Sequence, residues 1–492
     1  MDKISNEIPE TYSLSVAIIV SLNCFLVGST LGIPWSFVQS GWAFSLIISL
    51  LVLAILYILA IMLLQVLSRM KILHHYSNKG YTIRPVPLKD LFTDKPQGNY
   101  IFMENEEEEN QKLVIEENEI PKNYKYDFTI LCKVLLGRNF EIVFICVLVT
   151  TFLVFAMSCT SGFAAAMVST IPIGPFDTCD IYQESSFYEN CRYKYIFYVF
   201  IFLLLTMFLS LFFHFYEHKN LQITTCFIRL FMIFLMIGTA LSAYLQDKDI
   251  DSDNSADVSS KAFNLPGFGV TSAIMYFTIG GHIIIPDLIQ PLKNKEKNVI
   301  PMITFVLIIS WILCITFGLT LSLTVSDIEP QITLNWKNYS NGENPSDREW
   351  WAYIVDVVIS IFPAIDILSQ IFISVTNISD NIIAVTYKDL KTFDVDKSLV
   401  FKIRIVIILI STIIPMIFFD LGFLLAITGN LIITFNIFTI NPAALASLTL
   451  VPQKCPYDNF ISKKSFIIVF FIITSAFIVV QWTSFFIFAF AS

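Results

Sequence analysis

The sequence predicts an all-α polytopic membrane protein of about eleven transmembrane helices. Three observations predict it. Of 492 residues, 55% are hydrophobic, 15% aromatic and only 14% charged, more apolar surface than one water-soluble core hides. The apolar residues fall in blocks of about 20, the length at which a helix crosses roughly 30 Å of hydrocarbon. Within hydrocarbon every backbone N–H and C=O needs a partner in its own segment, and a helix supplies one.

In chain order, residues 1–12 are a short acidic terminus (Asp2, Glu7, Glu10) expected in the cytoplasm. The apolar block after it has neither a basic start nor a small-residue cleavage site, so it reads as a retained span, not as a leader. Spans near 13–37 and 43–67 form helices 1 and 2. Residues 68–138 then interrupt the hydropathy with Gly80, Pro85, Pro87, Pro96 and an acidic run from Glu104 through Glu106 to Glu109, with Glu116, Glu117 and Glu119 behind it. That composition predicts a disordered cytoplasmic insert, either a solvated linker or a docking segment for a cytoplasmic partner. Spans near 139–171, 195–215, 223–245, 267–289, 299–325, 351–377, 402–420, 422–449 and 466–490 complete helices 3–11, so 139–492 forms a single domain with 13–67.

Basic residues set the orientation, because Lys and Arg are retained in cytoplasmic loops. With the N-terminus inside, the insert, Lys293, Lys295, Lys297, Lys388, Lys391, Lys397, Lys402, Arg404, Lys454, Lys463 and Lys464 lie inside, and only Arg192, Lys194, Lys248, Lys261, Lys337 and Arg348 lie outside. The outside loop 172–194 then holds Cys179 and Cys191, either a disulfide closing a short loop, worth about 3 kcal/mol, or two thiols. The outside loop 326–350 holds Asn338-Tyr339-Ser340, a glycosylation acceptor. Asn377-Ile378-Ser379 matches the same pattern at the inner end of a span, so the pattern alone decides nothing. The acidic residues behind the net charge of −9 cluster in the insert's run from Glu104 to Glu119 and in 246–258, and no nucleic-acid signature accompanies them. HExxH, GxSxG and phosphate-cradling loops are absent and the five histidines are scattered, so neither an enzyme nor a metal or cofactor site is expected.

Function must sit in the membrane, where helix breakers and polar groups are costly. Span 1 carries Gly28-Ser29-Thr30-Leu31-Gly32-Ile33-Pro34, then Gly41-Trp42. Two glycines and a proline within seven residues interrupt the hydrogen-bond ladder, freeing N–H groups for a carboxylate and carbonyls for an ammonium or Na⁺. Span 6 repeats the device at Phe277-Thr278-Ile279-Gly280-Gly281-His282, with Pro286 one turn on. Membrane glycines also simply permit close packing. In transporters built from two inverted five-helix repeats, however, spans 1 and 6 hold corresponding places, and paired breaks there mark a central binding site.

Asn23 to Trp42, with the core G-S-T-L-G-I-P-W, resembles the first helix of the amino acid/auxin permease family, in particular its sodium-coupled neutral and its lysosomal amino acid transporters. The likeness continues at Gly281-His282 to Pro286, at Phe362-Pro363, and at Pro415, Gly429 and Pro442. The resemblance implies a five-plus-five inverted-repeat fold with broken helices 1 and 6, and secondary active transport of amino acids by alternating access. Gly28, Ser29, Thr30 and Gly32 would offer backbone groups to the substrate carboxylate, and Phe277 and Gly280 carbonyls to its ammonium. Asn23 matches a polar position near a cation, and Ser369, Ser374 and Thr376 are the helix-8 hydroxyls available to a Na⁺ site. The coupling ion stays open between H⁺ and Na⁺. The long insert departs from many family members.

Among ionisable residues inside spans, His282 either titrates with occupancy or locks the broken helix. Asp366, in mid-span 8, must face the bundle interior or a wet cavity, and is a candidate for proton or cation coupling or for a satisfied structural hydrogen bond. Asp356 and Asp420 sit nearer span ends and are expected to reach water. Arg229 and Glu141 are expected to snorkel to the inner surface. Thr150, Thr151, Ser158, Thr160 and Ser161 in span 3 either line the side-chain pocket or act as helix glue. With no acidic cluster for a cationic substrate, small neutral amino acids are the default. A membrane amino-acid sensor signalling through the insert is the alternative of a different class, and a channel is disfavoured by the lack of a charged or carbonyl-lined pore. The plasma membrane is favoured over endolysosomal or vacuolar membranes.

Overall fold

A computed structural model describes residues 12–79, 81–92, 100–103, 128–172, 178–179, 181–182, 191–212, 219–245, 261–289, 291–337, 339–340, 348–386 and 397–491. The chain is a helical membrane protein. It begins with α1 (Leu14–Phe25), a 3₁₀ turn at Gly28–Gly32 and α2 (Ile33–Ser40). The axis bends by 50° at this break. Pro34 opens α2 at a position where its missing N–H costs nothing. Gly41, at φ 86°, turns the chain into α3 (Trp42–Asn78), and a Cβ there would meet the Ala262 carbonyl at 2.6 Å.

The insert is not linker throughout. Its described part contains β1 (Tyr81–Ile83), α4 (Leu88–Leu91), β2 (Ile101–Met103) and α5 (Phe128–Leu136). β1 pairs antiparallel with β2 in the register Tyr81↔Met103 to Ile83↔Ile101. The Val86 N–H donates to the Leu135 carbonyl at 3.0 Å, joining hairpin to helix. β1 packs on α3, and α5 packs on the helix that follows it, α6 (Arg138–Thr170). The expectation of disorder fails here because Leu91, Leu131, Cys132 and Leu135 bury their side chains in the main core. The acidic run itself lies outside the described residues.

Beyond α6 come α7 (Arg192–Phe212), α8 (Lys219–Leu245), α9 (Phe268–Ile279), a 3₁₀ turn at Gly281–Ile284, α10 (Ile285–Ile289), α11 (Lys295–Thr324), α12 (Trp350–Thr386), α13 (Lys397–Ile413), α14 (Leu421–Leu450) and α15 (Lys464–Ala491). Span 6 is therefore broken where its glycines predicted, at Gly280. Among the described residues nine helices are long and apolar enough to cross a membrane, and α1 with the bent segment after it makes a tenth. α7, of 21 residues, stands where the fourth span was expected.

Tight packing surrounds the broken helices. α9 lies against α14, where a Cβ on Gly429 would come 2.0 Å from the Ala273 carbonyl oxygen. α6 packs along α12, and Gly162 admits Ile367 into that seam. Cys179 and Cys191 form a disulfide, pinning the start of α7. Asn338 lies outside the described residues.

Two charged side chains depart from expectation. Glu141 is 3% exposed and accepts from Arg138 at 3.2 Å, so it is buried at the start of α6 and does not snorkel. Arg229 is 2% exposed and turns inward, for the reason given below. Asp356 pairs with Arg348 at 2.5 Å, and Asp420 caps α14 by accepting from the Phe423 N–H at 3.0 Å.

Candidate functional site

The break in span 1 leaves carbonyls at the end of α1 and N–H groups at the following turn without partners in their own ladder. The structure closes both sets with side chains from other helices. Upstream, the Arg229 guanidinium on α8 donates through Nη1 to the carbonyl of Asn23 at 2.7 Å and to that of Leu26. Downstream, the Gly28 N–H donates to Gln370 Oε1 on α12 at 2.9 Å. Asp366 joins the two halves. Its Oδ1 accepts from Arg229 Nη2 at 2.5 Å and Nε at 3.0 Å, and its Oδ2 accepts from Gln370 Nε2 at 3.0 Å. The carboxylate and guanidinium are each almost fully buried, which only a paired charge tolerates at this depth. Arg229 therefore faces the bundle because its partner, Asp366, is there.

Beside this network lies a small cavity of about 20 Å³, walled by Gly28, Ser29, Leu31 and Gly32 from the break, Phe155, Ser158 and Cys159 from α6, Ile367 and Gln370 from α12, Leu421 and Leu425 from α14, and Gln331. Gln331 precedes a 3₁₀ turn (Ile332–Trp336) between α11 and α12. Its Nε2 donates to Thr333 Oγ1 at 3.3 Å, while its Oε1 is buried without a partner among the described residues.

The predicted residues divide. Gly28, Ser29, Gly32 and Ser158 line the cavity. Ser29 Oγ also lies 3.0 Å from Thr278 Oγ1, so a hydroxyl pair bridges the two broken spans. Thr30 does not line the cavity, and its N–H and hydroxyl both return to the Val27 carbonyl, at 2.9 and 2.7 Å. Ser161 donates to the Phe419 carbonyl at 2.5 Å and is turned away from the cavity. Phe277 and Gly280 are set back from the wall. The Phe277 ring meets Phe155 edge-on at 5.2 Å, and the Gly280 carbonyl accepts the His282 N–H at 2.8 Å. Asn23 donates its amide to Gln222 Oε1 on α8. His282 Nε2 lies 2.7 Å from the Leu56 carbonyl, an acceptor, so Nε2 carries the proton and ties the second break to α3. Thr376 lies further along α12, where its carbonyl accepts from Ser379. The Ser369 side chain lies outside the described residues.

Sequence reasoning missed Gln370, Gln331, Phe155 and Cys159. Gln370 carried one usable signal: it stands four residues after Asp366 and so shares its helix face. Among the described residues no cluster of His, Cys, Asp or Glu could hold a metal ion.

A polytopic helical protein with two broken spans, the first of them lining a small cavity, is, by class, a membrane transporter. The chain belongs to the transmembrane amino acid transporter protein family, whose pattern it matches over residues 111–488. No curated protein matches the chain. Among solved structures it is similar to a variant of the Eremococcus coleocola manganese transporter at 12% identity and a TM-score of 0.47, covering 99% of this chain and 90% of that one. It is also similar to the same transporter in complex with an aromatic bis-isothiourea compound, at 11% identity and a TM-score of 0.46, covering 99% of both chains.

Proposed function

We propose that this membrane amino acid transporter is a secondary active carrier of small neutral amino acids, working by alternating access and driven by an H⁺ or Na⁺ gradient. The observation that carries the reading is the wall of the cavity. The Gly28 N–H, given to the Gln370 amide and not to its own helix, stands beside hydroxyls of Ser29 and Ser158, and the remaining wall is mainly apolar, with no charged side chain among the described residues that line it. Such a wall suits a zwitterion whose side chain is small and uncharged, because a charged side chain would be desolvated without a partner. The paired breaks in spans 1 and 6 support the inverted-repeat arrangement that alternating access uses.

The test is uptake of labelled amino acids by proteoliposomes carrying the purified protein, with Na⁺ and H⁺ gradients imposed separately. Gradient-driven accumulation is expected for the wild type and its loss in Gly32→Leu, where even a Cβ would stand 2.9 Å from Leu425 Cδ1. Tight binding without flux overturns the carrier and leaves the sensor. One observation favours that second reading: the folded part of the insert grips both α3 and α6 and so could pass occupancy to a cytoplasmic partner. We place the protein at the plasma membrane, which surface biotinylation checks.

A further inference from the structure

We infer that Gln370 is a positioning residue whose amide oxygen holds the Gly28 N–H in the substrate carboxylate's place and is displaced by that carboxylate. The inference rests on the reading of this cavity as an amino-acid site.

The Thr30 N–H is committed to Val27 within its own turn. The Gly28 N–H is instead given to a side chain from another helix, and that side chain lines the cavity. A neutral amide oxygen is a weaker acceptor than a carboxylate, whose hydrogen bonds are charge-assisted and roughly twice as strong. An incoming carboxylate therefore wins the Gly28 N–H, and Gln370 Oε1 must turn away.

The other end of the same amide donates to Asp366 Oδ2, and Asp366 holds Arg229, which in turn holds the carbonyls of Asn23 and Leu26. Reorienting Gln370 thus perturbs the single network that closes both sides of the break in span 1. A ligand shifts a conformational equilibrium only through contacts that differ between the states. Exchange of Gln370 for a carboxylate is such a contact. An amine lacking the carboxylate would enter the cavity without making the exchange.

The inference is tested by equilibrium binding of labelled L-alanine and L-alaninamide to the purified full-length protein in nanodiscs. In Gln370→Leu the competitor is gone, and L-alanine should bind about threefold to tenfold more tightly while L-alaninamide is unchanged. Gln370→Met likewise removes the acceptor without adding charge, and L-alanine should bind it more tightly as well. If Gln370 merely shapes the wall, Gln370→Leu weakens or leaves unchanged the binding of L-alanine, or changes both ligands equally, and the inference falls. If Gln370→Leu does not fold, unchanged or weaker L-alanine binding in Gln370→Met overturns it. Failure of L-alanine to bind the wild type overturns the small-neutral-amino-acid reading beneath it.

Discussion

Removing Arg229 while leaving Asp366 in place should be among the most damaging single changes in the membrane interior. Arg229→Met leaves a carboxylate with 2% side-chain exposure without its paired charge, and takes from the Asn23 and Leu26 carbonyls their guanidinium donor. Breaking a buried pair from one side costs about 3–5 kcal/mol. Asp366→Leu should cost about 3 kcal/mol, since the stranded guanidinium keeps its two carbonyl acceptors. The double variant strands no charge and replaces both side chains with apolar ones, an exchange that is often close to neutral, so it should cost no more than either single change. The double-mutant cycle should therefore show a coupling of at least about 3 kcal/mol. The assay is reversible unfolding of the detergent-solubilised protein in SDS, followed by tryptophan fluorescence for the wild type, both singles and the double. Single-variant losses that add to the double within about 0.5 kcal/mol would refute the claim that these charges depend on each other.

Two further changes probe the scaffold. Gly429→Ala places a methyl where the Ala273 carbonyl stands and should force α9 and α14 apart, costing about 1–3 kcal/mol by the same unfolding assay. Cys191→Ser opens the short loop closed by the disulfide to Cys179 and should cost about 3 kcal/mol, an effect that reductant reproduces in the wild type and does not add to in the variant.

The spans were legible because length and hydropathy respond to one constraint, the thickness of the bilayer. Both breaks were legible because Gly28, Gly32, Pro34 and Gly280 act on their own backbone, a local effect that sequence carries directly. The pairing of Arg229 with Asp366 was not, since the partners lie 137 residues apart and only packing of α8 against α12 joins them. Each was readable singly as a charge in an apolar span, yet Arg229 read as a snorkelling surface residue because its distance along the helix from the inner loop says nothing of which way the helix faces. Gln331 was invisible for a similar reason: it belongs to a loop, and only the fold brings that loop over Gly162 and Leu421. Composition misjudged the insert because it averages an acidic run with the apolar residues of 128–136, which fold.

The insert's folded part has a consequence for thermodynamics. It leaves α3 as β1, is bonded through Val86 to α5, and reaches α6 across Gly137, so a chain of covalent and hydrogen bonds runs between α3 and α6. Any transport step that changes the separation of α3 and α6 must deform this strap or carry it along. A ligand that recognises the strap in one arrangement and not in the other then alters amino-acid affinity by some factor, and by linkage the amino acid alters that ligand's affinity by the same factor. The transporter's throughput and the occupancy of this strap would be two readings of one equilibrium.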